Sequence, residues 1–267
     1  MQHIRPAAVA GMFYPENPRI LHQEVQAYLD DAKHHRLTPK ALIVPHAGYI
    51  YSGEIAAAAY ATLQSSAPQI SRVILLGPAH RVAVRGMALP GSDAFATPLG
   101  SVMIDAEALQ IASNIPHVII SEAAHAMEHS LEVQLPFLQI VLGEFKLLPV
   151  LVGSATPNEV AYLLECLWGG EETLIVISSD LSHYLSYQAA KITDEKTVQS
   201  ILNFEQPISH ERACGGTPIS GLMLAARKHG LTPHLLDLRN SGDTAGSRDR
   251  VVGYASLAYT EDCHHVH

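Results

Sequence analysis

Short apolar runs alternate with longer stretches of helical periodicity from one end of the chain to the other. Runs rich in Val, Ile and Leu, without strict polar alternation, predict strands at Ala41–Pro45, Val73–Leu76, His117–Ser121, Leu147–Val152, Leu174–Ser178, Leu235–Leu238 and Val251–Tyr259. Strands covered on both faces read this way. Between them, helical spacing predicts Leu21–Lys33, Gly53–Leu63, Ala106–Ser113, Leu131–Val141, Glu159–Trp168, Gln188–Phe204 and Ile219–His229. Pro136 falls inside Leu131–Val141, so that helix is kinked or starts later than its apolar pattern. Thr97–Asp105 reads as a short excursion or hairpin, which makes a mixed sheet admissible. The alternation as a whole predicts an α/β/α sandwich around a mostly parallel or mixed central sheet. No linker, repeat or shift in composition divides residues 1–267, and a single domain is expected. The polar stretch Asn240–Arg250 connects the last two strands and is placed to lie over a site.

Composition narrows the class. Of 267 residues, 48% are hydrophobic and 16% charged, which excludes a disordered chain. Lys and Arg total 17 against 26 Asp and Glu, for a formal net charge of −9. With no basic run, neither nucleic acid nor an anionic membrane surface is an expected partner. The opening MQHIRPAAVAGMFYP lacks the ~7–15-residue apolar stretch of a secretory signal. No run reaches the ~20 apolar residues of a membrane helix. A soluble cytoplasmic protein is the expectation. Cys166, Cys214 and Cys263 form no CxxC pair and no disulfide framework. Sixteen histidines nearly equal all the Lys and Arg together, which directs attention to metal and acid–base chemistry.

Ligands of open α/β sheets bind beyond the carboxyl ends of the strands. Three apolar runs end there in a polar segment containing histidine: ALIVPHAGYIYSG places His46, VILLGPAH places His80, and LIVISSDLSH places Asp180 and His183. Any one of these histidines alone is best read as a loop residue satisfied by backbone. Three in matching settings point to a shared site. Cys214, in ERACGGTPIS, precedes a helix beginning near Thr217–Pro218. A thiol at a helix N-terminus tends to a lowered pKa and serves as ligand or nucleophile, and the competing reading is a buried inert cysteine. Cys166 lies in an apolar helical pattern and is assigned to the core. In HAMEHSLE, Glu128, His129 and Glu132 are expected to open a helix, with His129 and Glu132 on one face as a site wall. HEXXH is absent, which argues against a zincin. Ser178 and Ser179 lack the GxSxG surroundings of a serine nucleophile. The terminal DCHHVH reads as an exposed tail, and the pairs His34–His35 and His264–His265 as surface residues.

PHAGYIYSG, LLGPAH, EHSLEVQLPF, PVLVG, ISSDLSHY and CGGTPI occur in the order found in the Memo family, which includes the protein B component of the AmmeMemoRadiSam system. The resemblance runs from about Pro6 to Tyr259, leaving residues 260–267 as a tail. It implies the fold of class III extradiol dioxygenases, which hold non-haem Fe(II) with two histidines and a carboxylate. By motif, His46 and His80 match the two histidine ligands, and Cys214 matches the third ligand of Memo proteins. Asp180 and His183 match further catalytic positions, with His183 as the acid–base group and Asp180 orienting it. Glu128, His129, Tyr49 and Tyr14 are expected on the pocket wall. The sequence departs from the resemblance at Met12, where relatives tend to have a smaller or different residue, and Met12, Phe13 and Tyr14 are expected to line the pocket. Cysteine in place of the carboxylate makes a softer site, so Cu or Zn stands beside Fe(II). The function this implies is an Fe(II)-dependent, dioxygenase-like oxidoreductase acting on a catechol-type small molecule with O2. A radical-SAM pathway partner is also implied. A non-catalytic metal-binding or signalling protein and a metal-assisted hydrolase are the alternatives.

Overall fold

The computed structural model describes residues 2–33 and 35–261; His34, Cys263 and the DCHHVH tail lie outside them. The first half of the chain forms β1 (Ile4–Arg5), α1 (Pro18–Asp31), β2 (Pro39–Val44), α2 (Tyr49–Tyr60), β3 (Arg72–Pro78), β4 (Met87–Leu89), β5 (Ala94–Thr97), β6 (Gly100–Ile104) and α3 (Ala106–Ser113). Next come β7 (Val118–Ile120), α4 (Glu122–Ala126), α5 (Leu135–Leu142), β8 (Lys146–Val152), α6 (Pro157–Cys166) and β9 (Thr173–Ser178). The chain closes with β10 (His183–Leu185), α7 (Tyr187–Leu202), α8 (Gly216–Lys228), β11 (Leu231–Asn240) and β12 (Val251–Glu261).

The strands join one mixed sheet along the path β1-β5-β6-β8-β3-β9-β2-β12-β10. Its centre is parallel: β2 pairs β9, β9 pairs β3, and β3 pairs β8. Antiparallel β12 covers one side of that centre, and the β5–β6 hairpin lies toward the other. Alternate side chains of each central strand enter different layers, as the two-residue strand period requires. Leu42, Val44, Val73, Leu75, Leu174 and Val176 face α1, α2 and α5. Ile43, Ile74, Leu76, Ile175 and Ile177 face α3, α6, α7 and α8. The apolar runs of β2, β3, β8 and β9 are thus strands buried on both sides, each large side chain contributing roughly 1.5–3 kcal/mol, whereas the run at β7 leaves Ile119 and Ile120 exposed. Among the described residues no helix is long and apolar enough to cross a membrane.

Three expectations need correction. The helix over Leu131–Val141 starts later: Glu132–Gln134 is a single 3-10 turn, and α5 begins at Leu135 with Pro136 in its first turn. Proline lacks an N–H that has no partner there in any case. Second, Glu128 and His129 do not open a helix. They lie in the loop after α4, because the Glu128 carboxylate takes the backbone N–H groups of His129 and Ser130, both at 3.0 Å, and bends the chain around itself. Third, Cys166 is not core. α6 turns Val160, Leu163 and Leu164 inward, and Cys166, its last residue, is exposed.

Candidate metal centre

β2, β9 and β3 are adjacent and parallel, so their carboxyl ends open side by side. His46 follows β2 by two residues, Asp180 follows β9 by two, and His80 follows β3 by two. The Glu128–Ser130 loop folds over the same edge, tied to β3 by the Ser130 hydroxyl donating to Pro78 O at 2.9 Å. This brings His129 against the other two imidazoles. Ring centroids are 5.2 Å apart for His46 and His80, 5.5 Å for His46 and His129, and 4.9 Å for His80 and His129. One ring nitrogen from each lies within 4.8 Å of the others.

The outer nitrogens set which inner ones carry a lone pair. Ser178 Oγ spends its proton on Ser130 O and accepts from Gln134 Nε2 at 2.8 Å. Its remaining contact, His46 Nδ1 at 3.0 Å, must therefore be a donor, which leaves His46 Nε2 free of a proton. His80 Nδ1 donates to Glu128 Oε1 at 2.9 Å, which frees His80 Nε2 in the same way. An imidazole oriented by a carboxylate is the usual support of a metal ligand. Burial alone would raise Glu128, but the His80 ring and the N–H groups of Ser130 and His80 hold its carboxyl down to about 2. His129 Nδ1 is 3.3 Å from Glu128 Oε1 but misaligned, so it is buried without a hydrogen bond. Burial first, then the neighbouring His80 and His129, push His46 well below the ordinary histidine range. Burial brings His129 down to about 4. These two imidazoles are neutral at pH 7, the form that binds a cation.

Cys214 reaches the cluster from the turn before α8. Its Sγ is 3.2 Å from His46 Nε2. Because that nitrogen is unprotonated, the thiol is the donor. Gly215 and Gly216 permit the approach. A Cβ on Gly215 would stand 2.7 Å from Ser179 Cβ, and one on Gly216 would stand 2.4 Å from Ile208 O. Contrary to the helix-terminus expectation, burial pushes the Cys214 thiol up to about 12, with Asp180 adding to the rise. As a fit test, two ligands at ~2.1 Å (N) and ~2.3 Å (S) from one ion, at a right angle, stand about 3.1 Å apart. The observed 3.2 Å suits that arrangement. Two nitrogens on opposite sides of one ion stand about 4.2 Å apart and closer in any other arrangement, so a triad open to 4.8 Å must draw together by about 0.6 Å or more to share one ion. The donor set fits a transition metal.

The other predicted residues divide. Asp180 is buried, accepts the His46 N–H at 2.7 Å, and its carboxyl is pushed by burial up to about 7. Among the described residues no hydrogen bond joins it to His183, so it positions the His46 backbone rather than the His183 ring. His183 is lowered from its ordinary pKa by burial and by His80. Phe13 packs its ring 4.8 Å from His129, whereas Met12 is 71% exposed. Tyr14 and Tyr49 sit behind the site, their hydroxyls donating to Glu132 Oε1 and Val133 O, each at 2.6 Å. Ser178 and Gln134, which orient His46, stand inside ISSDLSHY and EHSLEVQLPF, but nothing local in either motif pairs them.

Asp194 of α7 supports the His183 segment by accepting the Ser182 N–H at 3.0 Å. Burial pushes its carboxyl up to about 6 from 3.8, against the hydrogen bond from the Ser182 N–H. The unfolded chain ionises this group first, so native stability falls as pH rises from about 4 to about 6, by at most about 3 kcal/mol. Asp194→Asn is expected to flatten that fall. Unfolding midpoints measured from pH 4 to pH 7 check it, and an unchanged slope contradicts it.

The family model described as Memo-like protein matches residues 5–258. The chain belongs to the Memo family. A Memo relative from Aquifex aeolicus, named a MEMO1 family protein, is 37% identical over 270 residues, covering 96% of this chain and 99% of that protein. One from Methanosarcina barkeri is 36% identical over 272 residues, covering 95% and 99%. Among solved structures, an uncharacterized protein of Escherichia coli K12 aligns with a TM-score of 0.47 at 14% identity, covering 80% of this chain and 98% of that one.

Proposed function

We propose that this Memo-family chain holds Fe(II) through His46, His80 and Cys214, with His129 beside them, and acts as a dioxygenase-like oxidoreductase on a catechol-type small molecule and O2. The observation that carries the reading is the convergence of three imidazole nitrogens within 4.8 Å, with the Cys214 thiol 3.2 Å from one of them. When bound, such an ion supplies Lewis-acid and one-electron chemistry to a chelating substrate. The protein's own residues do the rest. Ser178 and Glu128 fix the faces that His46 and His80 present. Asp180 holds the His46 backbone at the strand end. His183, kept neutral by burial, stands ready to take a proton from a substrate hydroxyl.

The test is oxygen uptake by iron-loaded protein across a panel of catechols. Wild type is expected to consume O2. His183→Ala is expected to lose ~10²-fold or more in rate while keeping its iron. No uptake by fully loaded protein overturns the oxidoreductase reading. It leaves the second one, a metal-binding protein without turnover, which the soft Cys214 donor favours through its tolerance of copper.

A further inference from the structure

Three large apolar side chains are the most exposed among the described residues: Met12 at 71%, Ile50 at 65% and Tyr184 at 64%. All three flank the metal centre. Met12 precedes Phe13, whose ring packs on His129. Ile50 lies in the first turn of α2, which is pinned to that segment by Tyr49 N–H donating to Phe13 O at 2.8 Å. Tyr184 follows His183, with ring centroids 5.9 Å apart.

Tyr184 is held outward against its backbone preference. It is the unpaired residue of a bulge between the pairs His183–Val252 and Leu185–Val251, and its φ is +60°. A bulge next to a site re-aims a side chain, and a left-handed tyrosine persists only where its surroundings enforce it. The Arg250 guanidinium lies 5.3 Å over the Tyr184 ring. The loop carrying Arg250 is itself anchored: Arg248 stacks on Tyr187, whose hydroxyl donates to Asp243. Arg81 directly follows His80, close enough for its charge to act on His129. Among the described residues neither Arg81 nor Arg250 forms an ion pair, although acidic groups outnumber basic ones in the chain. Two guanidiniums without a carboxylate partner among the described residues therefore stand at the site, Arg81 directly after His80 and Arg250 on the ring of Tyr184, which follows His183.

We propose that the site selects a planar aromatic molecule bearing a carboxylate, its ring lying on Tyr184 and its carboxylate meeting Arg250, with Arg81 adding attraction. Arginine's planar fork matches a carboxylate, and its stacking on Tyr184 presents that fork beside the ring. The inference rests on the metal-centre reading above and adds the charge and shape of the substrate.

The experiment titrates metal-loaded protein, without O2, with 3,4-dihydroxybenzoate and with its methyl ester, which removes the charge and adds one methyl group. Metal content is measured on every sample. Wild type is expected to bind the acid ~5-fold or more tightly than the ester, and Arg250→Gln to bring the ratio within about twofold while retaining its metal. Arg250→Lys keeps the charge without the fork and is expected to fall between the two. Tyr184→Ala is expected to weaken both ligands alike. Equal binding of acid and ester by wild type overturns the proposal. So does a preference that survives in both Arg250→Gln and Arg81→Gln. If fully metallated protein binds neither ligand, the substrate class is wrong and the metal centre stands. If the protein takes up no metal, the metal-centre reading fails and the proposal falls with it.

Discussion

Replacing Glu132 by glutamine is expected to lower the unfolding midpoint by roughly 10 °C. Glu132 is completely buried and faces four donors. Oε2 accepts from Arg5 NH1 at 2.7 Å and Ala8 N–H at 2.8 Å, while Oε1 accepts from Val9 N–H at 3.0 Å and Tyr14 OH at 2.6 Å. Whichever way a glutamine amide turns, its NH2 meets donors, and Arg5 loses the one carboxylate it has among the described residues. Breaking one side of a buried pair costs about 3–5 kcal/mol, and each kcal/mol moves the midpoint of a domain this size by about 2–4 °C. The damage extends to the site. Arg5 also donates to His125 O and Glu128 O, each at 2.6 Å, holding both ends of the stretch that presents Glu128 and His129. Thermal unfolding of the metal-free variant checks this. A shift below about 2 °C would show that the network contributes little.

Glu128→Gln is expected to weaken metal binding 10–100-fold with a smaller effect on stability, the usual range for a carboxylate behind a histidine ligand. Oε1 of Glu128 accepts the His80 ring and the N–H groups of His129 and Ser130, whereas Oε2 accepts only the His80 N–H at 2.6 Å. A glutamine therefore keeps its oxygen on the crowded side and turns its NH2 toward the His80 backbone. The loop survives, but the His80 ring loses a charged partner and the chain beneath it is displaced. Competition with a chelator measures the affinity. A value within about twofold of wild type would remove Glu128 from the support of the centre.

The central strands and the strand-end residues were legible because both follow local rules. Double-sided burial leaves unbroken apolar runs at β2, β3, β8 and β9, and polar residues after such runs fall at one edge of a parallel sheet. The same rule puts His46, His80 and Asp180 at one edge of the sheet. Cys214 was visible through CGGTPI, whose glycines make room for the turn against Ser179 and Ile208. The Glu128–Ser130 loop was not legible. Its sequence has the acidic opening of a helix, but the carboxylate that would cap one folds onto its own backbone and onto His80, 48 residues away. Arg5 and Glu132 are separated by 127 residues, and Gln134 and Ser178 by 44, so neither pairing leaves any periodicity to read. The thiol pKa went the opposite way from its local context because burial outweighs a helix terminus.

Metal content of protein prepared without oxygen and reconstituted with iron, copper or zinc tests the central claim most directly, comparing wild type with His46→Ala and Cys214→Ala. Wild type is expected to hold near-stoichiometric metal, with iron bound, and both variants to lose it. Metal retained by both variants, or wild type that takes up none of the three ions, would contradict that claim.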